Sequence, residues 1–275
     1  MKALNRYYSR KERTALIVNT MILIAFIAFT INMMTTKTDL PSILTLGFIL
    51  VFFTANMILK EVLNFFFQKA IFQLTAECDP LAGMETMKLL RKYDIYRGYT
   101  TSFVAFSSLV YVDTDNAQAL LDLFAPGNKL TQTGKDMILI KSYSLYKAYV
   151  ILNNKTQMKK AYADLIRLKV LTNKKKGVSP LYAWFDIEAE YALLTNDVKE
   201  ASGILAKADI RYLNPRERAH HYMLVAQVEK EKGNRDEAKS FFSQVTKIAN
   251  KMVLQDKALQ ALEELNHEKT QKTRR

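Results

Sequence analysis

Cysteine, glycine, proline and histidine are scarce in this chain. Its 275 residues include one Cys, 8 Gly, 5 Pro and 3 His. A single cysteine excludes an internal disulfide and any multi-cysteine zinc or iron–sulfur site. Three histidines leave little for a dedicated metal centre, so neither a metal nor a cofactor is expected. Glycine and proline fall well below their usual combined share of roughly 12%, which argues against β-sandwiches, propellers and collagen-like repeats. No two glycines are spaced GxG, and no GxxxxGK[ST], HExxH, CxxC or GxSxG occurs, so the common phosphate-binding, zinc-hydrolase and serine-hydrolase patterns are missing. Cys78 stands between Glu77 and Asp79, where nothing basic favours a thiolate. His220 and His221 are neighbours on a helix, about 100° apart, and do not share a metal simply. The chain reads as non-catalytic.

What is present is apolar and helix-forming: 49% of residues are hydrophobic, with Leu, Ala, Lys and Met prominent, so the expected fold class is all-α. Charge is absent from Thr14 to Met34 and again from Leu40 to Leu59. Each run matches the roughly 20 residues a helix needs to cross a bilayer, and neither shows the polar stripe of a core helix. We read them as transmembrane helices 14–34 and 40–59, a hairpin with both outer ends on one side. Lys2, Arg6, Arg10, Lys11 and Arg13 against Glu12 precede the first run, whereas Lys37 and Asp39 cancel in the loop. The positive-inside rule therefore places the basic N-terminus 1–13 and everything after Leu59 in the cytoplasm. The absence of organellar targeting features leans toward a bacterial plasma membrane. A cleaved signal peptide is disfavoured, because the run ends Ile31-Asn32-Met33-Met34 with no small-x-small site. No ionisable group lies in either span, so an anchor is expected rather than an ion path. Asn19 and Asn56, both toward the cytoplasmic ends, are expected to bond across the hairpin.

Beyond Leu59, a repeat emerges. Tyr222 to Ala226, Lys232-Gly-Asn-Arg-Asp-Glu-Ala238, Phe242 and Val245 resemble the tetratricopeptide repeat, a helix–turn–helix unit. In that family an aromatic opens the first helix with a small residue four positions on. A Gly-Asn/Asp turn follows, then a small residue and an aromatic on the second helix. Tyr222, Ala226, Gly233, Asn234, Ala238 and Phe242 take those positions, while Glu229 and Asn250 replace the usual aromatic and proline. The clearest match is 219–250. Small residues let paired helices approach to 8–10 Å. Pairs at similar spacing recur across turn-like sequences: Ala70 with Ala82, Ala105 with Ala117, Ala148 with Ala161, Ala189 with Ala201, and Ala226 with Ala238.

This predicts a tetratricopeptide-like α-solenoid over 60–266, with five helix pairs: 60–77 with 80–92, 96–112 with 115–124, 135–152 with 155–171, 179–195 with 197–208, and 214–232 with 235–249. A capping helix near 252–265 closes the array, and 267–275 is a basic disordered tail. The second span is expected to run unbroken into the first pair, a plan that also resembles the HemY-type bacterial membrane proteins.

The resemblance implies a concave groove lined by first helices, with Tyr99, Ser102, Phe106, Ser142, Tyr149, Asp186, Glu190, Met223 and Gln227 as partner-contacting candidates. Asp186 and Glu190 replace the Lys and Asn of the family's clamp for acidic C-termini, so the groove suits a protein or peptide with apolar and basic residues. Residues 60–275 carry 34 Lys plus Arg against 25 Asp plus Glu, concentrated at Lys174–Lys176 and in Lys269, Lys272, Arg274 and Arg275. Anionic lipid headgroups attract such charge by about 1 kcal/mol per nearby base. Nucleic acid is the weaker partner, since basic residues are not interleaved with aromatics along one face. The expected role is a membrane-anchored scaffold or adaptor. The alternative is a basic membrane-surface module that binds anionic lipid or nucleic acid electrostatically.

Overall fold

A computed structural model describes residues 6–125, 127, 134–173 and 182–273. Among the described residues there are twelve α-helices, one short 3-10 turn and no strand. They are α1 (Arg10–Thr36), α2 (Leu40–Thr75), α3 (Pro80–Tyr93), α4 (Thr100–Asp113), α5 (Ala117–Leu123), α6 (Lys135–Ile151), α7 (Lys155–Asn173), α8 (Trp184–Leu194), α9 (Val198–Leu205), α10 (Pro215–Glu231), α11 (Arg235–Ile248) and α12 (Val253–Thr273). Residues 267–273, read from the sequence as a disordered tail, continue the backbone of α12. Lys174, Lys175, Lys176, Arg274 and Arg275 lie outside the described residues.

α1 begins in a capping box between Ser9 and Glu12, which satisfies the first free amides of the helix. Asp39 caps α2 through Ser42, with Pro41 in its first turn. Both helices are long and apolar enough to cross a membrane, and the protein covers almost none of their apolar windows. α2 does not stop at Leu59. Its 36 residues extend about 54 Å at 1.5 Å per residue, and its second half buries Leu63, Ala70 and Leu74 against α3 and α4. The expected Asn19–Asn56 bond is absent. Asn19 donates to Glu61 Oε1 at 2.8 Å, and Asn56 turns its amide back to the Phe52 carbonyl at 2.7 Å. A carboxylate is the stronger acceptor, and Glu61 sits just past the apolar run.

Five helix pairs follow, joined by one turn design. Cys78, Asp115, Asn153, Asn196 and Gly233 each adopt positive φ, and each is followed by an Asp or Asn: Asp79, Asn116, Asn154, Asp197 and Asn234. In the last four turns that Asx amide donates to the carbonyl five residues back, at 2.8–2.9 Å, which is the Schellman closure of a helix C-terminus. In the first four, the Asx side chain accepts from the amide three residues on and caps the next helix.

These turns set the true register of the pairs. Counting eight residues back and four forward from the Asx gives Ala189 with Ala201 and Ala226 with Ala238, all buried. The same offsets give Tyr146 with Met158 and Ser108 with Leu120. So Ala148, Ala161, Ala105 and Ala117 do not hold the equivalent positions. In the first pair Ala70 meets Gly83 rather than Ala82. A Cβ at Gly83 would lie 2.9 Å from Phe106 Cζ and 3.3 Å from the Ala70 carbonyl oxygen.

The last pair returns to the first. α10 packs against α2 as well as against α8 and α11, and Cys78 is buried among Ala219, Met223, Phe242 and Met252. Lys251 N donates to the Cys78 carbonyl at 3.2 Å, Asn250 Nδ2 to the Glu77 carbonyl at 2.7 Å, and Lys251 Nζ pairs with Asp79 at 2.6 Å. The C-terminal pair thus closes on the turn of the first pair instead of leaving the array open.

Candidate functional site

The closure encloses a cavity of about 330 Å³ between α4, α6, α8 and α10, with α12 at its rim. Each inner helix contributes side chains three or four residues apart, the spacing that holds one helical face. α6 gives Tyr143, Lys147, Val150 and Ile151, α8 gives Asp186, Ile187, Glu190 and Leu194, and α10 gives Arg216, His220, Met223 and Gln227.

Ion pairs cross this space and tie the inner helices together. Arg216 on α10 donates Nε and Nη2 to the two carboxylate oxygens of Asp113 on α4, at 2.6 and 2.9 Å. His220 Nε2 also meets Asp113 Oδ1 at 2.8 Å. His221 Nδ1 lies 2.7 Å from Asp186 Oδ1 on α8, Lys147 Nζ lies 2.5 Å from Glu190 Oε1, and Lys257 of α12 pairs with Asp115. Adjacent histidines therefore engage different carboxylates on different helices. Glu217 completes the capping box of α10 with Asn214.

Burial alone would discharge Asp113 and Lys147, and each stays charged because its partner outweighs burial. Burial raises the Asp113 carboxyl, but Arg216 and the His220 hydrogen bond bring it below the usual carboxylate value. Burial lowers the Lys147 ammonium, but Glu190 lifts it above its ordinary value. His220 is the exception. Burial, reinforced by the neighbouring Arg216 and Lys147 charges, holds its pKa below the ordinary imidazole value despite Asp113. Tyr143 and Tyr182 stack at 3.9 Å between ring centroids, and burial pushes both phenols up. Among the described residues no group of three or more His, Cys, Asp and Glu side chains converges as a metal site would.

Of the groove candidates, Asp186, Glu190, Met223 and Gln227 line the cavity. Tyr99, Ser102, Phe106, Ser142 and Tyr149 do not. Phe106 is core, 2% exposed, and Tyr99 packs on Phe67 with 5.4 Å between rings. Ser142 and Tyr149 are one position away from Tyr143 and Val150, a rotation of about 100° that moves them off the inner face. Tyr143, Lys147 and Arg216 are not singled out in the sequence, and His220 figures there only as a neighbour of His221 that does not share its metal, whereas the structure puts His220 in the cavity lining. The signal for Lys147 and Arg216 is a charge placed one helical turn from buried apolar neighbours, Tyr143 for Lys147 and Leu213 with Ala219 for Arg216. No family model, curated protein or solved structure matches the chain.

Proposed function

We propose that this chain is a membrane-anchored, tetratricopeptide-like scaffold, non-catalytic, that holds a protein or peptide partner at the cytoplasmic face of the bilayer. The observation that carries this reading is the continuity of α2, whose apolar first half and repeat-bearing second half form one rigid helix. A binding surface built on that helix stays at a fixed height above the membrane. The cavity is the contact point. Its volume lies at the small end of ligand sites, 300–1,000 Å³, enough for one or two side chains of a partner rather than a whole helix. Leu109, Val112, Ile187, Leu194 and Met223 offer an apolar wall, and Tyr143, Lys147, Glu190 and Gln227 offer polar groups. A segment presenting an apolar side chain flanked by a basic one fits this lining. The ring of ion pairs is already self-compensated, which favours shape and apolar contact over a charge-driven grip.

The test uses the full chain in its native membrane, with a photo-crosslinking residue at Gln227 or, for comparison, at Tyr212, which is 84% exposed away from the cavity. A partner crosslinked from 227 and not from 212, and retained at moderate salt, supports the reading. Equal crosslinking from both positions refutes it, and binding lost steeply with salt transfers support to the electrostatic surface module. Topology is read from Tyr212→Cys in a Cys78→Ala background. Labelling by an impermeant maleimide only after permeabilisation is the result expected.

A further inference from the structure

We infer that the loop between α3 and α4, residues 94–99, together with Tyr93 at the end of α3, is a third membrane contact, seated in the headgroup–acyl boundary beside the hairpin. This rests on the reading of α1 and α2 as membrane spans and goes beyond it. The loop is fixed rather than slack. Asp94 accepts from the amides of Gly98 and Tyr99 at 3.0 and 2.8 Å, and Arg97 takes positive φ. That architecture turns Tyr93, Ile95 and Tyr96 outward, 47%, 68% and 65% exposed.

Its height is set by one bond. Tyr96 Oη donates to Asn56 Oδ1 at 2.6 Å. Asn56 lies three residues before the end of the uncharged run, about 5 Å inside it along the helix axis. Tyr96 therefore reaches back past the level where the apolar run ends. Tyr93 covers the same side of α2, closing an apolar recess with Ala55, Ile58, Leu59, Val62 and Phe66. Arg91, Lys92 and Arg97 flank the aromatics, with Lys92 Nζ 5.8 Å from the Tyr93 ring centre.

Exposed aromatics and an isoleucine beside bases, level with the end of a span, have the chemistry of the bilayer interface. Tyrosine places its ring at headgroup depth with the hydroxyl toward polar groups, and bases there meet lipid phosphates. In water these side chains would stand as an exposed apolar patch with no cover. A contact offset from the hairpin would fix the tilt and rotation of the repeat array over the membrane.

The experiment uses the full Cys78→Ala chain reconstituted in phosphatidylcholine–phosphatidylglycerol vesicles. A nitrobenzoxadiazole probe is attached to a single cysteine at Ile95→Cys, Phe48→Cys or Tyr212→Cys. Lipids spin-labelled near the headgroup or deep in the chain serve as quenchers. The expected result is shallow-label quenching at 95 several-fold stronger than at 212, with deep-label quenching at 48. Quenching at 95 no greater than at 212, with 48 still quenched, overturns the loop contact and leaves the spans standing. No quenching at 48 or at 95 overturns the spans and this inference with them.

Discussion

Arg216 and Asp113 are 103 positions apart and form a two-point ion pair in which the carboxylate is 0% and the guanidinium 8% exposed. The pair joins the first helix of the second unit to the first helix of the fifth, so it clasps the returning end of the array.

Removing one half of a buried pair leaves the other charge desolvated and uncompensated. Asp113→Asn is expected to cost about 3–5 kcal/mol of stability, whereas the double substitution Asp113→Leu with Arg216→Met costs much less. Chemical denaturation of the full chain in detergent measures both. Equal loss in the single and double variants would show that the pair does not act as a clasp.

His220 gives the clasp a pH dependence with a definite sign. Its pKa in the folded chain is below the ordinary imidazole value. The unfolded chain therefore takes up the proton first as pH falls. The stabilising contribution is complete above about pH 6.5, and it declines as pH drops from there through the folded pKa. Thermal melting between pH 7.5 and 5 is expected to show this decline, and His220→Gln is expected to flatten it.

Gly83→Ala tests the helix crossing of the first pair. Glycine to alanine within an exposed helix gains about 1 kcal/mol. Here the added methyl would meet Phe106 Cζ at 2.9 Å and the Ala70 carbonyl at 3.3 Å. Phe106 is 2% exposed and has nowhere to move, so crowding wins, with a net loss of about 1–3 kcal/mol. Ala82→Gly, one residue away, carries only the ordinary helix penalty. Melting temperatures of the two variants decide the register.

Cys78 is expected to be silent to maleimide in the folded protein. It is fully buried, and burial pushes its thiol up to about 11. At pH 7 only about one thiol in ten thousand is then ionised, and the thiolate is the reactive form. Full labelling in denaturant with almost none in native buffer is the outcome to look for. Rapid native labelling would mean that the contact between the first turn and the last pair opens readily.

Much of the helical layout was legible in the sequence because its signals are local. The apolar runs gave α1 and the first half of α2, and the turn-like stretches at Cys78–Pro80, Asp113–Asp115, Asn153-Asn154, Thr195–Asp197 and Gly233-Asn234 marked where paired helices part. The alanine register was legible only where alanine occupies both crossing positions. Ser108 with Leu120 and Tyr146 with Met158 hide the same positions behind larger or polar side chains, and the nearby alanines misled. Half of the cavity's inner face was missed for a related reason. On α6, a helix with tyrosines on several sides, composition does not say which side faces inward, and the choice of Ser142 over Tyr143 rotated the face by one residue.

The sequence by itself determined the succession of helices and the unbroken passage from the second apolar run into the first pair, but not every helix start. The helix expected over 96–112 begins at Thr100, because Asp94 holds the Gly98 and Tyr99 amides in a turn. Helix propensity, capping and hydrophobic length act over a few residues and need no partner. Only the tertiary structure decided that the array closes, that Asp113 meets Arg216 and His220, that Asn19 bonds Glu61, and that Tyr96 reaches Asn56. Those contacts join residues 40 to more than 100 positions apart. Their geometry depends on how whole helices pack, and for Asp113 with Arg216 and His220 on the summed rotations of the pairs between them, which no local pattern records.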